Sequence, residues 1–313
     1  MAQAIGGPAS PVTDQIKLVE EAIGVGFPDE SPDLGGGDHG PCLIALASQK
    51  GGTGKSTMAM LLTVALLKRG HRVGTIDLDG QQGTLSHYIA NRAALNDGIG
   101  AKLRTPRHHR LGPSLRSSRE LGTQDEDLQF REALRDLADC SHVIIDTPGT
   151  DCHLARLGCT RADTVITPLN DSLLDIDILA RIDPYRREVL GPSEYCRLIW
   201  RENDRRVACD RRPIDWIVVR NRLGHVDARN TREVTCLLQQ LAERLGFRLA
   251  PGLSERVVFR ELFLKGLTLL DLPNDRVPYR LGPGWIHARG EVDDLLAAIA
   301  VSGPASRAGG GGP

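Results

Sequence analysis

The chain has 313 residues, 41% of them hydrophobic and 25% charged, the balance of an ordinary globular protein with enough length for a substantial core. Lys and Arg number 39 against 40 Asp and Glu, a formal net charge of −1, which excludes a strongly basic field over the whole protein; aromatic residues at 4% disfavour single-strand binding by base stacking. No apolar run reaches the roughly 18 residues of a membrane span, and seven cysteines without a C-x-x-C pair argue against a disulfide scaffold or structural zinc and for a reducing cytoplasm.

Residues 1–40 are rich in Gly, Pro and Asp, with the run Gly35-Gly36-Gly37-Asp38, and are expected to form a disordered extension. They lack a basic start followed by an apolar core, so no secretory signal is expected. Residues 41–302 are expected to form one domain. Leu43 to Ser48 reads as a strand ending at a glycine loop. Thr57 to Lys68 has helical apolar spacing, with Gly70 as its stop. Val73 to Ile76 is a short buried strand, and Leu85 to Leu95 a helix. The segment 101–125 reads as a polar, basic insertion, since Lys102, Arg104, Arg107, Arg110, Arg116 and Arg119 occur without an acid before Glu120. Its expected state is solvated and mobile, with an electrostatic contact to nucleic acid or an acidic partner as the sharper alternative. His108 and His109 lie inside this block and are expected to be solvated. Gln124 to Asp139 is acidic and helix-like. Val143 to Ile145, Val165 to Thr167 and Trp216 to Val219 are further strands, and Thr231 to Leu245 is a helix closed by Gly246. Residues 303–313 are Gly-rich and are expected to be a flexible tail. Alternating strands and helices predict an α/β fold: a mostly parallel twisted sheet with helices on both faces, in three α/β/α layers.

The chemistry is concentrated in Lys50-Gly51-Gly52-Thr53-Gly54-Lys55-Ser56-Thr57, between a predicted strand and a predicted helix. That context marks a phosphate-binding loop of a P-loop NTPase. Glycines let backbone N–H groups surround phosphates, and the helix N-terminus adds positive partial charge. Lys55 is placed to reach the β- and γ-phosphates, and Ser56 to ligate Mg²⁺. ATP and Mg²⁺ are therefore the expected cofactors. Asp77 and Asp79 end one predicted strand, and Asp146 ends another followed by Thr147-Pro148-Gly149, so these carboxylates fall on the ligand edge of a parallel sheet.

Gln49 at the usual first glycine, and the extra Lys50, make this a deviant form of the loop that resembles the ParA and MinD ATPases. The resemblance continues through Thr167-Pro168-Leu169-Asn170-Asp171-Ser172, Asp215 to Leu223, Ala228-Arg229-Asn230, Gly246-Phe247-Arg248, Arg260-Glu261-Leu262-Phe263 and Gly266 to Leu272. Over roughly Cys42 to Ile299 the chain is similar to the MipZ family of division-plane positioning ATPases. The resemblance implies that Lys50 crosses a dimer interface to the partner's nucleotide, that Asp77 supports the Mg²⁺ water shell beside Ser56 and Asp146, and that Asp79 orients the attacking water. It implies γ-phosphate sensing by Gly149 and adenine contacts from Asn221 and Pro251. It further implies an ATP-dependent homodimer with slow hydrolysis that inhibits FtsZ polymerisation and binds DNA without sequence preference, and a monomer that binds ParB. The DNA-binding residues chosen on this basis are Arg229, Arg232 and Arg256. The implied place is the cytoplasm, on the nucleoid, enriched near the chromosome origin and poles. Membrane binding is not expected, because Glu291 to Val301 begins with acids and runs into the Gly-rich tail. A ParA-type partition ATPase is the nearest alternative. A metal-cluster ATPase of the nitrogenase iron-protein type, using Cys152 and Cys159, is a distant one, since cluster ligation needs a fuller thiolate set.

Overall fold

Short runs with nearly every residue buried build the centre of a parallel sheet. The computed structural model describes residues 40–100, 102–183, 189–209, 211–223, 228–254, 257–272 and 285–299; the expectations for 1–39 and for the tail 303–313 fall outside these. The strands are β1 (Cys42–Leu46), β2 (Val73–Asp77), β3 (Arg107–Arg110), β4 (His142–Asp146), β5 (Thr164–Asn170), β6 (Ala180–Ile182), β7 (Val189–Pro192), β8 (Asp215–Asn221) and β9 (Arg248–Ala250). Seven of them form one sheet in the order β3-β2-β4-β1-β5-β8-β9, every pair parallel, while β6 and β7 make a separate antiparallel pair.

Side chains of the central strands alternate between two cores, as a sheet covered on both faces requires. Ile44 and Leu46 join one core with Ile144, Ile166 and Ile217, whereas Ala45 joins the other with Val143, Ile145 and Val165. Helices α1 (Lys55–Lys68), α2 (Thr84–Ile99), α8 (Val257–Leu264) and α9 (Trp285–Ile299) cover the first face. Helices α3 (Arg119–Asp136), α4 (His153–Arg161), α6 (Glu194–Ala208) and α7 (Ala228–Leu245) cover the second. The short α5 (Leu173–Ile176) follows β5. The layers are α/β/α, as the sequence predicts.

The segment 101–125 differs from the expected insertion. Arg107–Arg110 is the edge strand, paired with β2 so that Thr75 faces His108 and Asp77 faces Arg110. Its cations are held locally. Arg107 pairs with Asp139, His109 Nε2 lies 2.8 Å from Asp136, and Arg110 Nε donates to the Gly80 carbonyl at 3.0 Å. A polar strand is stable at an edge because only one side of its backbone needs a ladder, and charge there discourages pairing with another chain. The helix after it begins at Arg119, five residues before the predicted start at Gln124.

One buried ion pair ties α2 to the 3₁₀ turn at Leu269–Asp271. Arg92 donates to both Asp271 oxygens at 2.9 Å, to the Arg104 carbonyl at 2.8 Å and to the Gly266 carbonyl at 3.1 Å, while Asp271 Oδ2 also accepts from the Thr268 N–H at 2.8 Å. Gly266 (φ 65°) has the left-handed conformation there, and a Cβ on it would lie 2.2 Å from the Arg92 nitrogen. Removing one member of such a pair strands a buried charge. Asp271→Ala is therefore expected to destabilise the fold by about 3–5 kcal/mol, read as a lower urea midpoint at unchanged slope. An unchanged midpoint would refute this account of the pair.

Candidate functional site

The loop between β1 and α1 takes its shape from glycine. Gly52 (φ 74°) and Gly54 (φ 94°) are both left-handed, and Gly54 caps α1 with its backbone alone. No heavy atom lies within 4 Å of where a Cβ would stand on Gly51 or Gly52, so open space borders the loop. Thr53 is buried, with its hydroxyl unpartnered, while Ser56 and Thr57 are half-buried in the first turn of α1. Lys55 is 8% exposed, and its Nζ donates to the Lys50 carbonyl at 3.0 Å. Burial pushes its pKa down, against the opposing pull of Asp146 and Asp79.

The register of the sheet places two carboxylates side by side. Asp77 ends β2 and Asp146 ends β4, and they are partners in the ladder between those strands. Both are buried. Burial pushes the Asp146 carboxyl up to about 7, a hydrogen bond from Ser56 opposes this, and Asp77 and Asp79 push it further up. Asp146 Oδ1 is buried with no hydrogen-bond partner. Asp77 is by contrast wrapped in donors: Oδ1 accepts the Asp79 N–H at 3.1 Å, and Oδ2 accepts the Ser86 N–H at 2.9 Å and the Ser86 hydroxyl at 2.7 Å. Asp79 is half-buried just past the strand. Among the described residues no three His, Cys, Asp or Glu side chains are grouped to hold a metal by themselves. This arrangement fits Mg²⁺ chemistry, in which one or two protein oxygens share the ion with water and phosphate. The orphaned Asp146 oxygen and the Ser56 hydroxyl are the groups that fit it, with Asp77 behind them.

Gly149 closes the opposite side of the loop. A Cβ there would come within 3.0 Å of the Gly51 nitrogen and Cα, so only glycine permits this approach. Asn221, at the end of β8, lies against the loop, its amide donating to the Thr53 carbonyl at 2.7 Å. A cavity of about 380 Å³ opens beside it, lined by Gly54, Thr57, Asn221, Leu253, Ser254 and Phe263 among others. Pro251 is exposed and does not line this cavity; Leu253 and Ser254, two and three residues on, do. Lys50 is drawn to its own chain: its ammonium pairs with Asp175, which is buried and also accepts the Asn170 N–H at 3.0 Å. Arg232 is exposed on α7, Arg229 lies in the first turn of that helix without a described side chain, and Arg256 is outside the described residues.

Ser86 and Asp175 escaped the sequence reading, and His108, expected to be solvated, is instead half-buried between the Thr75 and Ser86 hydroxyls. The pairing of Asp175 with Lys50 spans 125 positions and has no local signal. Cys159 is buried, and burial pushes its thiol up to about 12. No described helix is long and apolar enough to cross a membrane.

The family profile of the ATPase MipZ matches residues 42–303. An uncharacterised ATP-binding protein of Methanocaldococcus jannaschii is 29% identical over 44% of this chain and 56% of its own. The chromosome partitioning protein ParA of Myxococcus xanthus is 30% identical over 45% of this chain and 56% of its own. The chain thus spans about half the length of these curated relatives. Among solved structures, an ATP complex of a variant of McdA from Cyanothece superposes with a TM-score of 0.57 at 16% identity, over 85% of this chain and 98% of that one, a likeness of fold.

The raised Asp146 carboxyl has a consequence for stability. Its folded value, about 7, lies above its ordinary value of 3.8, so the folded state binds the extra proton between them. The stabilisation is full below the ordinary value and is lost as pH rises through the folded one. Without nucleotide or Mg²⁺, thermal melts of the native protein are expected to weaken from roughly pH 5 to pH 8 relative to Asp146→Asn. A difference between the two proteins that does not change with pH would sink this assignment.

Proposed function

The chain belongs to the MipZ ATPase family, and we propose on that footing that it is an ATP-switched, dimerising regulator of cell-division placement. The observation that carries the reading is one edge of the sheet: the glycine loop with Lys50 and Lys55 stands beside Asp77 and Asp146, paired in register, with Asp79 next to them. Lys55 and the loop N–H groups bind the phosphates of ATP. Mg²⁺ bound with the nucleotide supplies positive charge that neutralises the phosphates. Asp79 orients the attacking water, while Gly149 approaches the loop where the terminal phosphate belongs. Asn221 and the cavity beside it take the base, with hydrophobic surface from Leu253 and Phe263.

In this reading Lys50 completes the site of a second copy, adding positive charge where charge develops in phosphoryl transfer. Its ion pair with Asp175 must break for it to cross, so the pair belongs to the undimerised chain. Hydrolysis is slow and needs the dimer, because the lifetime of the dimer is the output. The ATP dimer inhibits FtsZ polymerisation and binds DNA without sequence preference through exposed arginines such as Arg232. The monomer binds ParB, which places the protein on the nucleoid near the origin and the poles. The resemblance of the chain to ParA of Myxococcus xanthus supports one second reading, a partition ATPase with the same nucleotide chemistry and no action on FtsZ.

Lys55→Ala is expected to lose ATP binding, and Asp79→Ala to remain as an ATP-bound dimer by light scattering. With ATP and Mg²⁺, sedimentation of FtsZ polymers should fall with Asp79→Ala and stay complete with Lys55→Ala. A monomeric Asp79→Ala protein at saturating ATP would count decisively against the switch. A trapped dimer that leaves FtsZ polymers intact would select the partition reading.

A further inference from the structure

The edge strand β3 sends one side chain toward the nucleotide edge of the sheet. His108, half-buried, lies opposite Thr75 in the parallel register. Its Nδ1 is 2.9 Å from the Thr75 hydroxyl oxygen and its Nε2 is 2.9 Å from the Ser86 hydroxyl oxygen. Ser86 stands in the first turn of α2 and gives Asp77 Oδ2 both its N–H and its hydroxyl.

Donor counting fixes the direction of these bonds. An ionised carboxylate only accepts, so the single Ser86 hydroxyl proton goes to Asp77. The Ser86 oxygen is then an acceptor, and His108 Nε2 must carry the proton it donates. In a neutral ring Nδ1 is left as an acceptor, and the Thr75 hydroxyl, 2.9 Å from it and 3.2 Å from the competing Arg107 carbonyl oxygen, donates to the nearer one. Burial lowers the His108 pKa and favours that neutral ring. Thr75, His108, Ser86 and Asp77 therefore make one chain of hydrogen bonds, all pointing the same way.

The far end of that chain is a hinge of the site. Asp77 accepts from Asp79 N–H with one oxygen and from Ser86 with the other, so its carboxylate spans the loop that carries Asp79. Rotating the carboxylate would move that loop. We propose that Ser86 and His108 are positioning residues, which hold the Asp77 carboxylate, and through it the Asp79 loop, in the orientation that Mg²⁺ and nucleotide need. The inference rests on the roles of Asp77 and Asp79 under the function proposed above. It gives β3, from the polar segment, a place behind the catalytic edge.

Two measurements on the full chain test it. Nitrogen-15 NMR of the histidine rings, assigned with His108→Gln, should show the Nε2-protonated tautomer in the nucleotide-free protein, and Ser86→Ala should shift that ring's resonances. Titration of ATP hydrolysis with Mg²⁺ should show Ser86→Ala and His108→Leu needing about 10- to 100-fold more Mg²⁺, or losing rate on that scale, as loss of partners behind metal ligands generally does. Ser86→Thr and His108→Gln, which keep a donor in place, should recover most of the native response. Ser86→Ala removes one hydroxyl and keeps the test decisive if His108→Leu does not fold. An Nδ1-protonated ring, or a native Mg²⁺ response in both disruptive variants, overturns the proposal. A native protein that hydrolyses no ATP overturns the functional reading itself, and with it this role.

Discussion

Two acids at the ends of neighbouring parallel strands, both out of water, are the constraint around which this site is built. The ladder between β2 and β4 fixes Asp77 and Asp146 as register partners, so their backbones cannot separate without breaking it. Like charges so placed cannot both stay ionised cheaply unless donors or a cation offset them. The chain answers in two different ways. Asp77 receives three hydrogen bonds from its own loop and helix, whereas Asp146 keeps one oxygen without any partner and shifts its proton affinity upward. The asymmetry divides the labour between a carboxylate held by the protein and one left for a ligand. Lys55, itself desolvated, is the nearest countercharge and is tethered to a loop carbonyl.

The same edge is joined to the cavity beside Asn221 through that residue's side-chain amide. Asn221 donates to the Thr53 carbonyl, and a Cβ on Gly54 would stand 2.1 Å from its amide nitrogen. A Cβ at 54 would therefore displace the Asn221 amide from the Thr53 carbonyl, and the left-handed φ of 94° strains any other residue there. Gly149 plays the matching part from β4, against Gly51. Two glycines of the loop are thus pinned by residues more than 90 positions away, so the phosphate site keeps its shape before any ligand binds. Such preorganisation lowers what binding must spend on ordering the loop.

Where local pattern and tertiary role coincide, the sequence was readable. The strand before Lys50, the glycine loop and α1 follow from an apolar run, turn chemistry and helical spacing within about 25 residues. The carboxylates were legible because they sit directly after apolar strands. Arg107–Arg110 hid in plain view, since R-H-H-R has no apolar alternation; its strand character comes from the free edge of β2 and from acids at the end of α3 and just past it. The helix α6 was missed for a similar reason. It is polar through most of its length, and its start is signalled only by Ser193 accepting the Cys196 N–H. Pairings such as Lys50 with Asp175, or Arg92 with Asp271, cross from 125 to 179 residues and leave no periodic trace.

The placement of β3 also bears on where the proposed nucleic-acid affinity would come from. Counterion release scales with the cations that meet phosphate. Arg107 is already paired with Asp139, while Arg110 and Arg104 are turned to the carbonyls of Gly80 and Leu67. To reach phosphate these three would first have to give up internal hydrogen bonds, one of which helps to hold the loop after Asp79. A basic stretch in the sequence is therefore a smaller electrostatic resource in the fold. The exposed Arg232 on α7 carries no such cost. Any salt-dependent affinity of the proposed dimer would be built mainly from residues of that kind, presented twice, rather than from the edge strand β3.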